Sequence, residues 1–130
     1  MTPNPRAGID CFIDLVGAVR RHFPLSVISD FGGTIAAGED HLSYPTIDFE
    51  ITVDDLNEGL VDWVRQLIGA WNKGKEVHWE FLPNERLDFY SLRPVDYNTQ
   101  KSMSRLYALR RTAGDLARFI EAWAAGNPKE

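Results

Sequence analysis

The stretch Thr46-Ile47-Asp48-Phe49-Glu50-Ile51-Thr52-Val53 alternates without a break, with Ile47, Phe49, Ile51 and Val53 on one side and Thr46, Asp48, Glu50 and Thr52 on the other. Side chains of a strand point to opposite faces in turn, so this pattern predicts a strand with one buried and one polar, acidic face. Asp54 or Asp55 then offers a side-chain cap for a helix. Leu56, Leu60, Val64, Leu67, Ile68 and Trp71 follow at helical spacing, and Asn72 and Gly74 end the run.

Upstream, Ile9, Phe12, Ile13, Val16, Val19 and Phe23 recur every three or four residues, which predicts a helix over 8–23 with one buried stripe. Pro24 closes it, and the β-branched, apolar run Leu25 to Phe31 reads as a strand before the Gly32-Gly33 break. Residues 34–45 mix breakers with isolated apolar residues and fit either a loop with one helical turn or a short extra strand. Downstream, Glu76 to Leu82 alternates again, and Pro83-Asn84-Glu85 suggests a three-residue turn into Arg86 to Leu92. That register would oppose Phe81 to Leu87 and Trp79 to Phe89 on the apolar face, and Glu80 to Asp88 and His78 to Tyr90 on the other. The segment 99–125 reads as helical, interrupted near Gly114-Asp115, with Leu106, Leu109, Leu116, Phe119, Ile120 and Trp123 inward. The order is α-β-(x)-β-α-β-β-α-α. It defines an α+β class: a single mixed or antiparallel sheet of about four strands packed against helices.

One domain over 1–130 is expected from 130 residues, with 1–7 and 126–130 frayed. With 44% apolar residues, 25% charged residues and seven Phe, four Trp and four Tyr, the composition excludes global disorder and fibrous classes. No apolar stretch is long enough for a membrane span, and the start lacks an export-type apolar core, so a cytoplasmic protein is expected. The single cysteine, Cys11, has no partner for an internal disulfide and fits a small core residue beside Phe12.

Charge is distributed unevenly. Between Phe23 and Val64 there is no Lys or Arg but nine acids: Asp30, Glu39, Asp40, Asp48, Glu50, Asp54, Asp55, Glu58 and Asp62. Such a segment attracts a basic partner at long range and disfavours contact with nucleic-acid phosphates. If the Thr46–Val53 strand neighbours the hairpin, Asp48, Glu50, Glu80 and Asp88 share one face with His78. Asp54, Glu58 and Asp62 add an acidic stripe on the following helix; a first-turn position accounts for the earlier acids, whereas Asp62 lies beyond that favourable dipole. Trp63, Tyr44 and Tyr90 fall off the main apolar stripes, as exposed interface anchors would, although a wide buried helix face also accommodates Trp63. Lys101, Arg105, Arg110, Arg111 and Arg118 sit on the terminal helical segment, as a solvated face or as partners for the acids.

Two resemblances attach to these residues. Phe31-Gly32-Gly33 followed by Asp48-Phe49-Glu50-Ile51 resembles the nucleotidyltransferase signature, an apolar-Gly-Gly/Ser turn ahead of an Asp-x-Asp/Glu strand, over about a third of the chain. It implies that Asp48 and Glu50, with Glu80 or Asp88 as third carboxylate, hold divalent ions that align a triphosphate. No Lys or Arg stands near that turn in sequence. As a type, a small, acidic, cysteine-poor and aromatic-rich domain also resembles bacterial immunity proteins, which neutralise a toxin and carry no cofactor. The leading expectation is a non-enzymatic inhibitor that uses Asp48, Glu50, Asp54, Glu58, Asp62, Trp63, Glu80, Asp88 and Tyr90 to block a basic site on a partner such as a toxin. The alternative is a minimal nucleotidyltransferase-like domain, active or degenerate, with Asp48, Glu50 and Glu80 as metal-binding acids.

Overall fold

The computed structural model describes residues 8–23, 26–35, 42–50, 56–84, 89–95 and 103–127. The elements are α1 (Ile9–His22), β1 (Val27–Phe31), β2 (Thr34–Ile35), β3 (Leu42–Ser43), β4 (Thr46–Glu50), α2 (Leu56–Asn72), β5 (His78–Asn84), β6 (Phe89–Val95) and α3 (Met103–Gly126). The fold is α+β in the expected order, with the last two helical segments continuous as α3. Gly114 does not break that helix because it serves packing: a Cβ there would lie 3.0 Å from the Cys11 Cβ, so its absence lets α1 approach α3.

Four strands form one antiparallel sheet in the order β1-β4-β6-β5, and the undecided stretch forms a separate pair, β2 with β3. All three helices lie against the same sheet face. Phe12, Leu15, Ala18 and Val19 of α1, Val61, Trp63, Val64, Leu67, Ile68 and Trp71 of α2, and Ala113, Leu116 and Ile120 of α3 join Ile47, Phe49, Trp79, Phe81 and Leu92 in one buried cluster. Aromatic rings lock its centre: Phe49 packs against Phe23 and Phe81 at centroid distances of 5.5 and 5.7 Å. The first pair is tilted and the second edge-on, and an edge-on pair adds about 0.5–1.5 kcal/mol beyond area burial. Leu15 is fully buried and Ile13 is half-exposed, so the buried stripe of α1 is rotated from the expected one.

The hairpin register differs from expectation. Trp79 opposes Pro94, Glu80 opposes Arg93, Phe81 opposes Leu92, Pro83 opposes Tyr90 and Asn84 opposes Phe89. Pro83 and Asn84 therefore end β5 instead of forming the turn. The connection spans 85–88, which lies outside the described residues, as does Leu87. An odd shift of register exchanges faces. Tyr90 and Leu92 consequently turn inward with Phe81, and Ser91 and Arg93 turn outward with Glu80. The expected opposition of His78 to Tyr90 is replaced by His78 with Val95.

Both prolines are tolerated because neither stands where the ladder needs a donor. Trp79 donates its N–H to Asn72 Oδ1 and accepts at its C=O from Asn72 Nδ2, each at 2.9 Å, so its backbone groups point away from β6. By strand alternation the nitrogen of Pro83 also lies on that outer edge, where no ladder donor is required. Pro94 points toward β4 at a position before β4 begins, so its missing N–H breaks no pairing.

Candidate functional site

The sheet face turned away from the helices carries the sequence-predicted acids of the strands. One row crosses all four strands: Ser29 on β1, Asp48 on β4, Ser91 on β6 and Leu82 on β5. Asp48 sits at its centre. Its Oδ2 accepts from Ser29 Oγ at 2.9 Å and its Oδ1 from Ser91 Oγ at 2.7 Å. Both donors are neutral and small, so they orient the carboxylate outward and leave its charge in place. One step to one side, Phe31 on β1 pairs with Thr46 on β4, and Arg93 on β6 pairs with Glu80 on β5. To the other side stands Glu50, exposed on β4.

Glu80 does not meet another acid. Arg93 donates from Nε to Glu80 Oε1 at 2.5 Å, which replaces the expected Glu80–Asp88 repulsion with an ion pair. Arg93 is the single Lys or Arg in the four strands of this sheet, and the imidazole of His78 stands on the same face. Among the described residues the outer face therefore presents three carboxylates, Asp48, Glu50 and Glu80, against one guanidinium that is already engaged. Two large apolar side chains flank this acidic centre: Phe31, 47% exposed, and Leu82, 45% exposed.

Other expected site residues lie elsewhere. Trp63 is buried and not an exposed anchor; it stands on a wide apolar face of α2, edge-on to Trp123 at 5.2 Å, and gives its indole N–H to the Asn127 carbonyl at 2.8 Å. Tyr90 is not a free anchor either, because its ring stacks on Phe81 at 4.8 Å on the inner face. Tyr44 is half-buried against Leu42, Leu106 and Leu109. Asp62 is exposed on α2, in the helical layer, with Arg65 one turn away at 4.0 Å. It thus points away from the sheet's outer face. Asp54 and Asp88 lie outside the described residues, and so does the side chain of Glu58. Asp30 has Arg20 at 3.8 Å.

The metal set Asp48, Glu50 and Glu80 is not gathered into one cluster: β6 intervenes between β4 and β5, and Glu80 is held by Arg93. Among the described residues no group of three or more His, Cys, Asp and Glu could hold a metal ion. The Gly32-Gly33 turn is filled from below. Gly33 has φ +87°, and a Cβ there would meet Leu106 Cδ1 at 2.7 Å and the Ser43 carbonyl at 2.9 Å. Both turn carbonyls accept from Arg110, Gly32 from Nε at 2.8 Å and Gly33 from Nη2 at 2.9 Å. Arg110 is 3% exposed, so this base of α3 is a buried brace of the turn and not part of a solvated face. The readable signal was its place on the apolar stripe with Leu106, Ala113 and Gly114.

Ser29, Ser91 and Arg93 carry no signal in the sequence, because each becomes relevant only in the observed register. Away from this face, Glu121 on α3 joins Arg21 and His22 at the end of α1, the His22 Nε2 contact being 2.5 Å. The Arg21 hydrogen bonds, then that of His22, hold the Glu121 carboxyl below its ordinary range, and partial desolvation opposes them. No helix among the described residues is long and apolar enough to cross a membrane. Comparison with protein families, curated proteins and solved structures gives no match.

Proposed function

We propose that this chain is a non-enzymatic, immunity-type binding protein that blocks a basic site on a partner protein, such as a toxin, with the outer face of its sheet. The observation that carries this reading is Asp48, aimed outward between two serine hydroxyls beside exposed Glu50, on a face whose one strand arginine is committed to Glu80. A cationic group arriving there meets oriented, unneutralised charge. Phe31 and Leu82 supply apolar contact on either side, which matches the general anatomy of a recognition patch with anchors beside polar specificity groups.

The test is the joint Asp48→Asn, Glu50→Gln variant, measured against a partner isolated on the full chain from its source cell. Association slows several-fold at low ionic strength, the deficit shrinks as salt rises, and Asp62→Asn on the helical layer leaves the rate unchanged. An unchanged rate in the joint variant, or nucleotide binding that requires magnesium or manganese and is lost in it, defeats the proposal.

A further inference from the structure

The two edges of the sheet are built differently. At the β5 edge the Asn72 side-chain amide takes both the N–H and the C=O of Trp79, Trp71 Nε1 donates to the Val77 carbonyl at 3.2 Å, and Pro83 offers no donor. That edge is closed to another strand, as sheet edges generally must be to prevent unwanted pairing. At the opposite edge, among the described residues, β1 pairs only with β4 in the sheet. Four of its five residues are exposed, including Ile28 at 53% and Phe31 at 47%.

Backbone direction along β1 follows from its ladder. Glu50 donates its N–H to the Ser26 carbonyl at 2.8 Å, so Ser26 faces β4 and Val27 turns its N–H and C=O outward. Beyond the bulge between Val27 and Ser29, Asp30 lies opposite Ile47, whose own groups face β6, so Asp30 also turns outward. The edge thus presents two donor–acceptor pairs.

We infer that β1 is a docking edge for an extended segment of the partner that alternates cationic and apolar residues and adds as a fifth strand. This deepens the reading above and rests on it. The charge pattern selects the occupant: a Lys or Arg on the outer side of an added strand has only the small Ser29 between it and Asp48, and interstrand spacing of about 4.8 Å keeps that carboxylate within side-chain reach. Alternate apolar residues meet Val27 on the inner side, while Phe31 borders the cationic positions on the outer side. A second copy of this chain is a poor occupant, because its β1 carries Asp30 and no Lys or Arg to set against Asp48.

The probe is a ten-residue peptide of alternating lysine and valine, compared with a block isomer of the same composition, on the full chain. The alternating peptide binds at least about tenfold tighter and slows amide exchange at Val27 and Asp30, as main-chain pairing to an edge requires. Asp30→Asn retains this preference, and Asp30→Pro, which removes the outward N–H, abolishes it. Equal binding of the two isomers overturns strand addition and leaves the acidic-face reading standing. Failure of both to bind overturns the two together. Exchange protection of β1 that rises with protein concentration alone assigns the edge to a second copy and overturns the inference.

Discussion

Replacing Arg110 with Met tests the brace on the Gly32-Gly33 turn. The guanidinium makes at least two hydrogen bonds to carbonyls, at 2.8 and 2.9 Å, in a position 3% exposed. Hydrogen bonds from a charged donor contribute about 1.5–3 kcal/mol each, and their loss strands the acceptors. Met has similar length and avoids the desolvation of a buried cation, which offsets part of the loss. The net cost is about 2–4 kcal/mol, a large share of the roughly 5–15 kcal/mol by which domains are stable. Lys reaches only one of the two carbonyls and costs about half as much. In urea unfolding with a slope of about 1.5 kcal/mol/M, Arg110→Met lowers the midpoint by about 2 M with the slope unchanged. Since the turn directly follows Phe31, amide exchange accelerates in β1 before it does in β6. A midpoint within experimental error of the parent, or equal losses for Lys and Met, would refute the brace.

Trp63→Phe removes the indole bond to Asn127 and costs about 1 kcal/mol in the same assay, whereas Trp63→Ala opens a core cavity and costs about 3–5 kcal/mol. Asn72→Ala frees both backbone groups of Trp79, lowers stability by about 1–3 kcal/mol and raises aggregation through the reopened β5 edge, measured by light scattering. For Glu121 the folded carboxyl is depressed below its unfolded value of about 4.3, so its stabilisation is present above that pH and disappears as pH falls through the folded value. Parent and Glu121→Gln therefore differ at pH 7, by less than about 1 kcal/mol for a screened surface cluster, and converge in acid once the folded carboxyl is protonated.

The elements themselves were legible where one periodicity ruled. Ile47 and Phe49 are fully buried and Glu50 exposed, as their alternation required. Periodicity did not determine the hairpin register, because Leu87 with Phe89 and Tyr90 with Leu92 are both alternating pairs able to face the core. Charge distinguished them: the expected register set Glu80 against Asp88, and the observed one sets it against Arg93. The predicted repulsion was thus the mark of a register slip, not of an unsatisfied acidic patch. Trp63, which a wide buried face also accommodated, and Arg110 are both buried for one reason. A helix packed on two sides buries more than a narrow stripe, so neighbours of the stripe enter the core and must bring hydrogen-bond partners with them. The pair Asp48 and Glu50 was legible from alternation alone, whereas the serines that orient Asp48 come from two other strands and required the fold.

The most direct measurement of the account is a chemical-shift titration of the isotope-labelled full chain with deca-lysine, first at low salt and then at about 0.15 M. Shifts gathered at Ser29, Asp48, Glu50 and Ser91, weakened by salt and lost in the Asp48→Asn, Glu50→Gln variant, are the predicted result. Shifts centred on Asp62 and the exposed side of α2, or spread evenly over both layers, would contradict it.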